Sequence, residues 1–210
     1  MLGLTAVHPA FSQAARVKTN IDFDWYFHLG DIANGQSAAM DNSQWRRLDL
    51  PHDFSIEGSY RQTNPAANAF LPGGTGWYRK TIRWESAWKN KEVSIVFDGV
   101  YMNSEVWING HYLGKRPNGY IGFKYDLTPY LKYGENAIAV KVDNSGVPSA
   151  RWYTGSGIYR HVWLLVTNPI HVAWQGSFVR TPEVNNAEAA IHLDALIKNG
   201  SDSKTKVMVT

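Results

Sequence analysis

From Asn20 onward the apolar positions of this chain recur at every second residue, the period of a half-buried β-strand. Gly76–Trp84 alternates bulky aromatic with basic residues, and Glu92–Asp98 places Val93, Ile95 and Phe97 on one face. Ser104–Ile108 and His111–Lys115 flank Asn109-Gly110. That arrangement predicts a hairpin, because both central residues of a tight two-residue turn must take positive φ. Asn136–Val142 and His161–Val166 read as two further strands, rich in branched residues. The one helical hint, Asp126–Lys132, contains Pro129, which limits it to about one turn. Turn residues fall at the breaks, in Asn64-Pro65, Leu71-Pro72-Gly73-Gly74, Tyr133-Gly134-Glu135 and Gly146-Val147-Pro148. Short strands with this punctuation predict an all-β, antiparallel sandwich.

Three stretches depart from that pattern. Asn34–Pro72 is long and polar, with little period outside Trp45–Leu50. It carries Trp45, Phe54, Tyr60 and Phe70, which read as packing anchors, so the loop is expected to be ordered against something. Asn168-Pro169 reads as a boundary, followed by strand patterns at His171–Thr181, Ala189–Lys198 and Lys204–Thr210. Three strands fall short of an immunoglobulin-like sandwich of about 100 residues, so the chain reads as the opening of a longer polypeptide. Met1–Ala15 holds no acidic residue and ends Ser12-Gln13-Ala14-Ala15, like the back half of a secretory signal. The alternative is a disordered leader; the signal reading implies a periplasmic or extracellular protein. No apolar run approaches the roughly 20 residues of a membrane span. The expected organisation is a leader at 1–15, a sandwich domain at 16–168 and an incomplete second domain at 169–210.

Composition narrows the chemistry. Aromatic residues make up 13% of the 210 residues and charged ones only 19%, which excludes a disordered tail. The chain has no cysteine, so a disulfide scaffold, a zinc ribbon and a thiol nucleophile are excluded. A net charge of +3 is scattered, with no basic stripe beyond Arg46-Arg47, and no nucleic-acid partner is expected. Gly155-Ser156-Gly157 lacks the spacing of a nucleophile elbow and reads as a turn. Gly73-Gly74-Thr75-Gly76 runs into Trp77-Tyr78 where a phosphate loop needs Lys and Ser/Thr. The seven His form no short-spaced pair, so neither a metal site nor a cofactor is expected. Glycoside hydrolysis would use two carboxylates. Glu85, Glu92, Asp98, Asp126, Glu135 and Asp143 instead fit solvated strand faces and turns, and no segment reads as a barrel strand ending in Glu. No catalytic residue is assigned within this chain.

A series of motifs in order carries more information than any one of them. Pro51-His52-Asp53-Phe54 and Gly76-Trp77-Tyr78-Arg79-Lys80 come first. Phe97-Asp98-Gly99-Val100, Val106-Trp107-Ile108-Asn109-Gly110, Gly119-Tyr120, Phe123, Asp126-Leu127 and Gly134-Glu135-Asn136 follow. Arg151-Trp152-Tyr153-Thr154-Gly155-Ser156-Gly157-Ile158-Tyr159-Arg160 ends the run. Over Asp22–Asn168 this resembles the N-terminal sugar-binding domain of glycoside hydrolase family 2, in the β-galactosidase branch. Ile170–Thr210 resembles the start of the immunoglobulin-like domain that follows it there. The resemblance implies a jelly-roll β-sandwich, a partial immunoglobulin-like β-sandwich, and a downstream (β/α)8 barrel carrying both catalytic glutamates. It implies a retaining exo-acting enzyme on terminal β-galactosides, its two carboxylates about 5 Å apart.

In that family one loop of the first domain reaches the barrel mouth and contacts the sugar, and by motif position it corresponds to Val147–Gly157. Arg151 is then a sugar ligand through its forked donors, or the partner of an acid at a domain interface. The best-known enterobacterial member carries an acidic residue at this position. Trp152 and Tyr153 offer ring faces to sugar C–H groups, or, for Trp152 above all, burial beneath the loop. His52 and Asp53 match a family signature read as mostly structural, an Asp accepting from His to fix its tautomer, with a sugar contact as the alternative. Trp77, Tyr78, Trp107 and Tyr159 sit at strand spacing and read as core or sheet-face residues. Two other functions compete with the enzyme-fragment reading. One is a stand-alone carbohydrate-binding module, the other a structural domain whose surface serves homo-oligomer assembly.

Overall fold

A computed structural model describes residues 16–146 and 153–207. Met1–Ala15, Arg151 and Trp152 lie outside the described residues. The strands are β1 (Arg16–Asn20), β2 (Trp25–Leu29), β3 (Arg46–Leu48), β4 (Gly74–Arg83), β5 (Glu92–Phe97) and β6 (Ser104–Ile108). They continue with β7 (His111–Arg116), β8 (Phe123–Asp126), β9 (Glu135–Asn144), β10 (Val162–Thr167), β11 (Ile170–Val184) and β12 (Ala189–Asn199). The only helical elements among the described residues are 3-10 turns at Ala66–Asn68, Ser86–Trp88 and Thr128–Tyr130. Pro129 sits in the last of these, where the sequence allows a single turn. The described residues form two compact units, Lys18–Val166 and a smaller one of 16–17 with 167–207.

In the larger unit a six-stranded sheet ordered β3-β2-β4-β9-β6-β7 accompanies a four-stranded sheet ordered β1-β10-β5-β8. The pairings in the six-stranded sheet are antiparallel, and so is β5 with β8. Alternation decides which side chains meet. Val93, Ile95 and Phe97 of β5 join Ile138, Val140 and Val142 of β9, Val106 and Ile108 of β6, and Tyr78 and Ile82 of β4 in one core. Phe97 stacks on Phe123 with ring centroids 5.0 Å apart. The β6–β7 turn takes positive φ at Asn109 (51°) and Gly110 (83°), as the Asn-Gly pair predicts. β1, β2 and β8 show too little pattern to be predicted; each is five residues or fewer and buries at most part of its length.

The opposite face of the six-stranded sheet has a cover of its own. Trp45, Trp77 and Ala139 form a small second core with Tyr26, Ile32, Met40 and Trp107 packed against it. The buried Arg79 donates to Gly35 O at 2.7 Å. Asp31 accepts from Trp77 Nε1 (3.0 Å) and Lys141 Nζ (2.8 Å), and those two donors hold its carboxyl below the usual range. The Asn34–Pro72 loop is thus ordered, but its four rings divide. Trp45 and Phe54 are buried anchors, whereas Tyr60 and Phe70 are 73% and 44% exposed. That corrects the expectation for those two. Their segment closes on itself through Arg61 N–Phe70 O (3.1 Å) and Asn64 Nδ2–Phe70 O (2.9 Å), leaving the rings outside.

The smaller unit is, among the described residues, one long antiparallel hairpin of β11 and β12 with register breaks after Val172 and Arg180. Asn185 caps its turn by accepting from Ala187 N (2.8 Å) and Glu188 N (3.0 Å). Lys204–Val207 carry no strand. The chain is all-β and antiparallel, a sandwich of jelly-roll type followed by this hairpin of the immunoglobulin-like portion.

Candidate functional site

Glycine positions the site. Gly155 and Gly157 take φ of 78° and 123°, left-handed conformations that let Gly155–Ile158 run flat between two other segments. His52 N bonds Ile158 O (2.8 Å) and Phe54 N bonds Ser156 O (2.9 Å) on one side. Gly157 and Tyr101 exchange both backbone hydrogen bonds, at 2.8 and 2.9 Å, on the other. A Cβ on Gly157 would stand 2.3 Å from Tyr78 Oη and 2.8 Å from His52 O, so no side chain fits.

Around this ribbon the polar groups are satisfied, with Ser55, Asn144 and Ser156 buried and Asp53 half-buried. Asp53 Oδ1 accepts from Ser55 N (2.9 Å) and Ser156 N (2.8 Å), and Oδ2 accepts from the Tyr153 hydroxyl. Ser55 Oγ lies 2.6 Å from Ser156 Oγ and donates to Pro72 O at 2.7 Å. Asn144 Nδ2 donates to Ser156 Oγ at 2.7 Å. Burial, then the Asp53 carboxylate, pushes the Tyr153 phenol far above its ordinary range, so it stays a donor at any working pH. Tyr153 is half-buried, and the exposed Tyr60 stands close enough to add to that shift.

His52 faces the other way. Its ring meets Phe27 edge-on at 4.6 Å, and Tyr78 Oη lies 2.7 Å from Nδ1. His52 Nε2 stands 3.1 Å from both Glu57 Oε1 and Arg46 Nη2. Arg46 Nη2 closes the group on Glu57 at 2.8 and 2.7 Å. Burial holds the His52 imidazole below its ordinary value despite the Glu57 charge, which keeps the ring neutral near pH 7.

The structure thus brings His52, Asp53 and Tyr153 to one place but splits the expected His–Asp pair. The carboxylate against His52 belongs to Glu57, and Asp53 serves the Tyr153–Ser156 loop. Adjacent residues on an extended chain point to opposite sides, which is why neighbours in sequence take different partners. Arg151 and Trp152 lie outside the described residues. Sequence reasoning missed Arg46, Glu57, Ser55 and Asn144. The polar neighbours of Pro51–Phe54 were the signal available, since a turn rich in Ser, Asp and His needs partners somewhere. With three donors on its carboxylate, Asp53 has an organising role. Trp77, Tyr78 and Trp107 belong to the sheet faces as expected, whereas Tyr159 lies outside the strands, half-buried, its hydroxyl donating to Gly119 O at 2.8 Å. Among the described residues no cluster of three potential metal ligands occurs, and no helix is long and apolar enough to cross a membrane.

Similarity to known proteins agrees with this architecture. Beta-galactosidase BoGH2A of Bacteroides ovatus is 50% identical over 197 residues, covering 92% of this chain and 23% of that protein. A beta-glucuronidase of Formosa agariphila is 30% identical over 224 residues, covering 95% of this chain and 23% of that protein. The crystal structure of a beta-glycosidase from Bacteroides vulgatus superposes with a TM-score of 0.85 at 53% identity, covering 89% of this chain and 25% of that one. The chain spans about a quarter of the length of each. Residues 11–169 match the model for glycosyl hydrolases family 2, sugar binding domain, and the chain belongs to that family.

Proposed function

We propose that this chain is the non-catalytic N-terminal part of a retaining exo-glycosidase acting on terminal β-D-galactosides. In this reading it lends the Val147–Gly157 loop to a sugar pocket completed by a downstream barrel, which supplies the acid/base and nucleophile carboxylates. The leader then directs the enzyme to the periplasm or exterior, and the domains divide at 16–168 and 169–210. The observation that carries the reading is the Asp53 carboxylate holding Tyr153 and Ser156, which anchors the C-terminal half of that loop on a buried, glycine-dependent ribbon. Such anchoring serves positioning, because a displacement of about 1 Å in a binding group costs on the order of 100-fold in rate. Arg151, Trp152 and Tyr153 are the proposed sugar contacts, with His52 and Asp53 as their support. The 50% identity to a beta-galactosidase favours the galactoside, and the 30% identity to a beta-glucuronidase favours a glucuronide as the second reading.

The test uses the enzyme bearing this domain, assayed on chromogenic β-galactoside and β-glucuronide side by side. Arg151→Ala should lower kcat/KM by the equivalent of about 1.5–3 kcal/mol, one charged hydrogen bond in the transition state. Unchanged kinetics would remove Arg151 from the pocket, and a preference for glucuronide would select the second reading. The 210-residue chain alone should hydrolyse neither substrate; turnover by it would overturn the assignment of catalysis to the barrel.

A further inference from the structure

The ends of β4 and β9 farthest from the Asp53 ribbon carry a cavity of about 280 Å3, lined by Trp84, Lys89, Asn90, Leu131, Lys132 and Tyr133. Its walls are built. Trp84 stands edge-on to the buried Trp88 at 5.9 Å and to Tyr133 at 5.3 Å. Trp84 N bonds Gly134 O at 2.8 Å, closing the strand ends. Beneath the Leu131–Gly134 wall lies the fully buried Asn136. Its Oδ1 accepts from Lys132 N (2.9 Å), and its Nδ2 donates to Lys132 O (2.9 Å) and Gly134 O (3.2 Å). Asn109 Nδ2 extends the network to Asn136 Oδ1 and Tyr130 O, both at 2.8 Å. The facing wall is the Ser86–Trp88 turn, closed by Lys89 N–Ser86 O (3.2 Å) and Lys91 N–Trp88 O (3.0 Å). A cavity whose wall is fixed by the buried Asn136 gives up little order when a ligand enters.

Its chemistry is one-sided. Two rings and Leu131 supply apolar surface, Asn90 supplies an amide, and both charged groups are ammonium. Among the described residues neither Lys89 nor Lys132 forms an ion pair, and the neighbouring Glu135 is engaged by Arg83 at 3.8 Å. Tyr133 is 80% exposed, far more than packing requires of a ring that size. Aromatic surface beside paired cations and an amide suits a pyranose ring bearing a negative charge. We propose that this cavity binds an acidic sugar residue, its carboxylate or sulfate on Lys89 and Lys132 and its ring against Trp84 and Tyr133. β4 and β9 pair from Gly74–Asn144 to Arg83–Glu135. At roughly 3.3 Å per residue, the cavity lies about 30 Å from the Asn144 end that supports the Tyr153 loop. It would hold a different residue, or a different chain, of a polysaccharide from the one at that loop.

The experiment titrates the 210-residue chain with trigalacturonate, a galactose-4-sulfate trisaccharide and neutral galactotriose, read by calorimetry and tryptophan fluorescence. Saturable binding of one anionic probe, about tenfold or more tighter than galactotriose, is expected, and which probe binds separates carboxylate from sulfate. Tyr133→Ala and the double variant Lys89→Glu/Lys132→Glu alter exposed side chains, so circular dichroism should be unchanged. Each should weaken binding about tenfold or more, the scale of one charge-assisted hydrogen bond or one stacked ring. Failure of both anionic probes to bind, equal binding of galactotriose, or full binding by both variants would overturn the assignment.

Discussion

The space between the two sheets and the ribbon at Gly155–Ile158 are both buried, yet they are held in opposite ways. Between the sheets, Ile95, Phe97, Val106, Ile138 and Val140 meet through apolar contact alone, and any side chain of similar volume could take part. At the ribbon, Asp53, Ser55, Asn144 and Ser156 each have a designated partner, and Gly157 tolerates no Cβ. The first region is specified by pattern and volume, the second by identity at each position. Stability is concentrated in the first, and the placement of Tyr153 depends on the second.

The largest effect expected from this contrast is in the sheet core. Phe97→Ala, which removes a ring stacked on Phe123, should lower unfolding free energy by about 3–5 kcal/mol in denaturant titrations, and Phe97→Leu by much less. Gly157→Ala should cost about 2–3 kcal/mol despite adding one methyl group, because both its φ and its space exclude a side chain. Equal tolerance of Gly157→Ala and an exposed Gly134→Ala would erase the distinction.

The smallest effect concerns pH. Burial lowers the His52 pKa from its ordinary 6.5, so the unfolded chain binds a proton more readily than the folded one. Stability from this group is fully present above about pH 6.5 and declines as pH falls toward the folded value. Melting temperature should drop between pH 7 and 5, and His52→Gln should flatten that slope without changing the core response. An unchanged slope in His52→Gln would place the titration elsewhere.

Strands whose alternation is regular could be read directly: β5, β6, β7 and β12 match their sequence patterns to within a residue at either end. The Asn109-Gly110 turn was equally plain, since positive φ leaves a chemical mark. The loop between β2 and β4 was harder. Trp45 and Tyr60 are comparable aromatic residues in comparable polar surroundings, but only Trp45 finds a sheet face to cover. At the candidate site, His52, Asp53 and Tyr153 stood out as a resemblance, whereas their partners did not. Ser55 meets Ser156 across 101 positions, and Asp53 meets Ser156 across 103. Contacts of that separation leave no periodic trace; Glu57 lies only five residues from His52, but an irregular loop has no period that tells which nearby carboxylate the ring will face.

Arg79 has a consequence for how the outer face responds to its surroundings. Its guanidinium is buried beneath the loop and donates to a backbone carbonyl, that of Gly35, at 2.7 Å. Burial draws its pKa down, yet the bond has no other member that titrates. Added salt reaches such a buried contact poorly, and acid has nothing on Gly35 to protonate. The tether between that loop and β4 is therefore indifferent to the acidity that loosens His52, and the protein carries one fastening that senses its medium and another that does not.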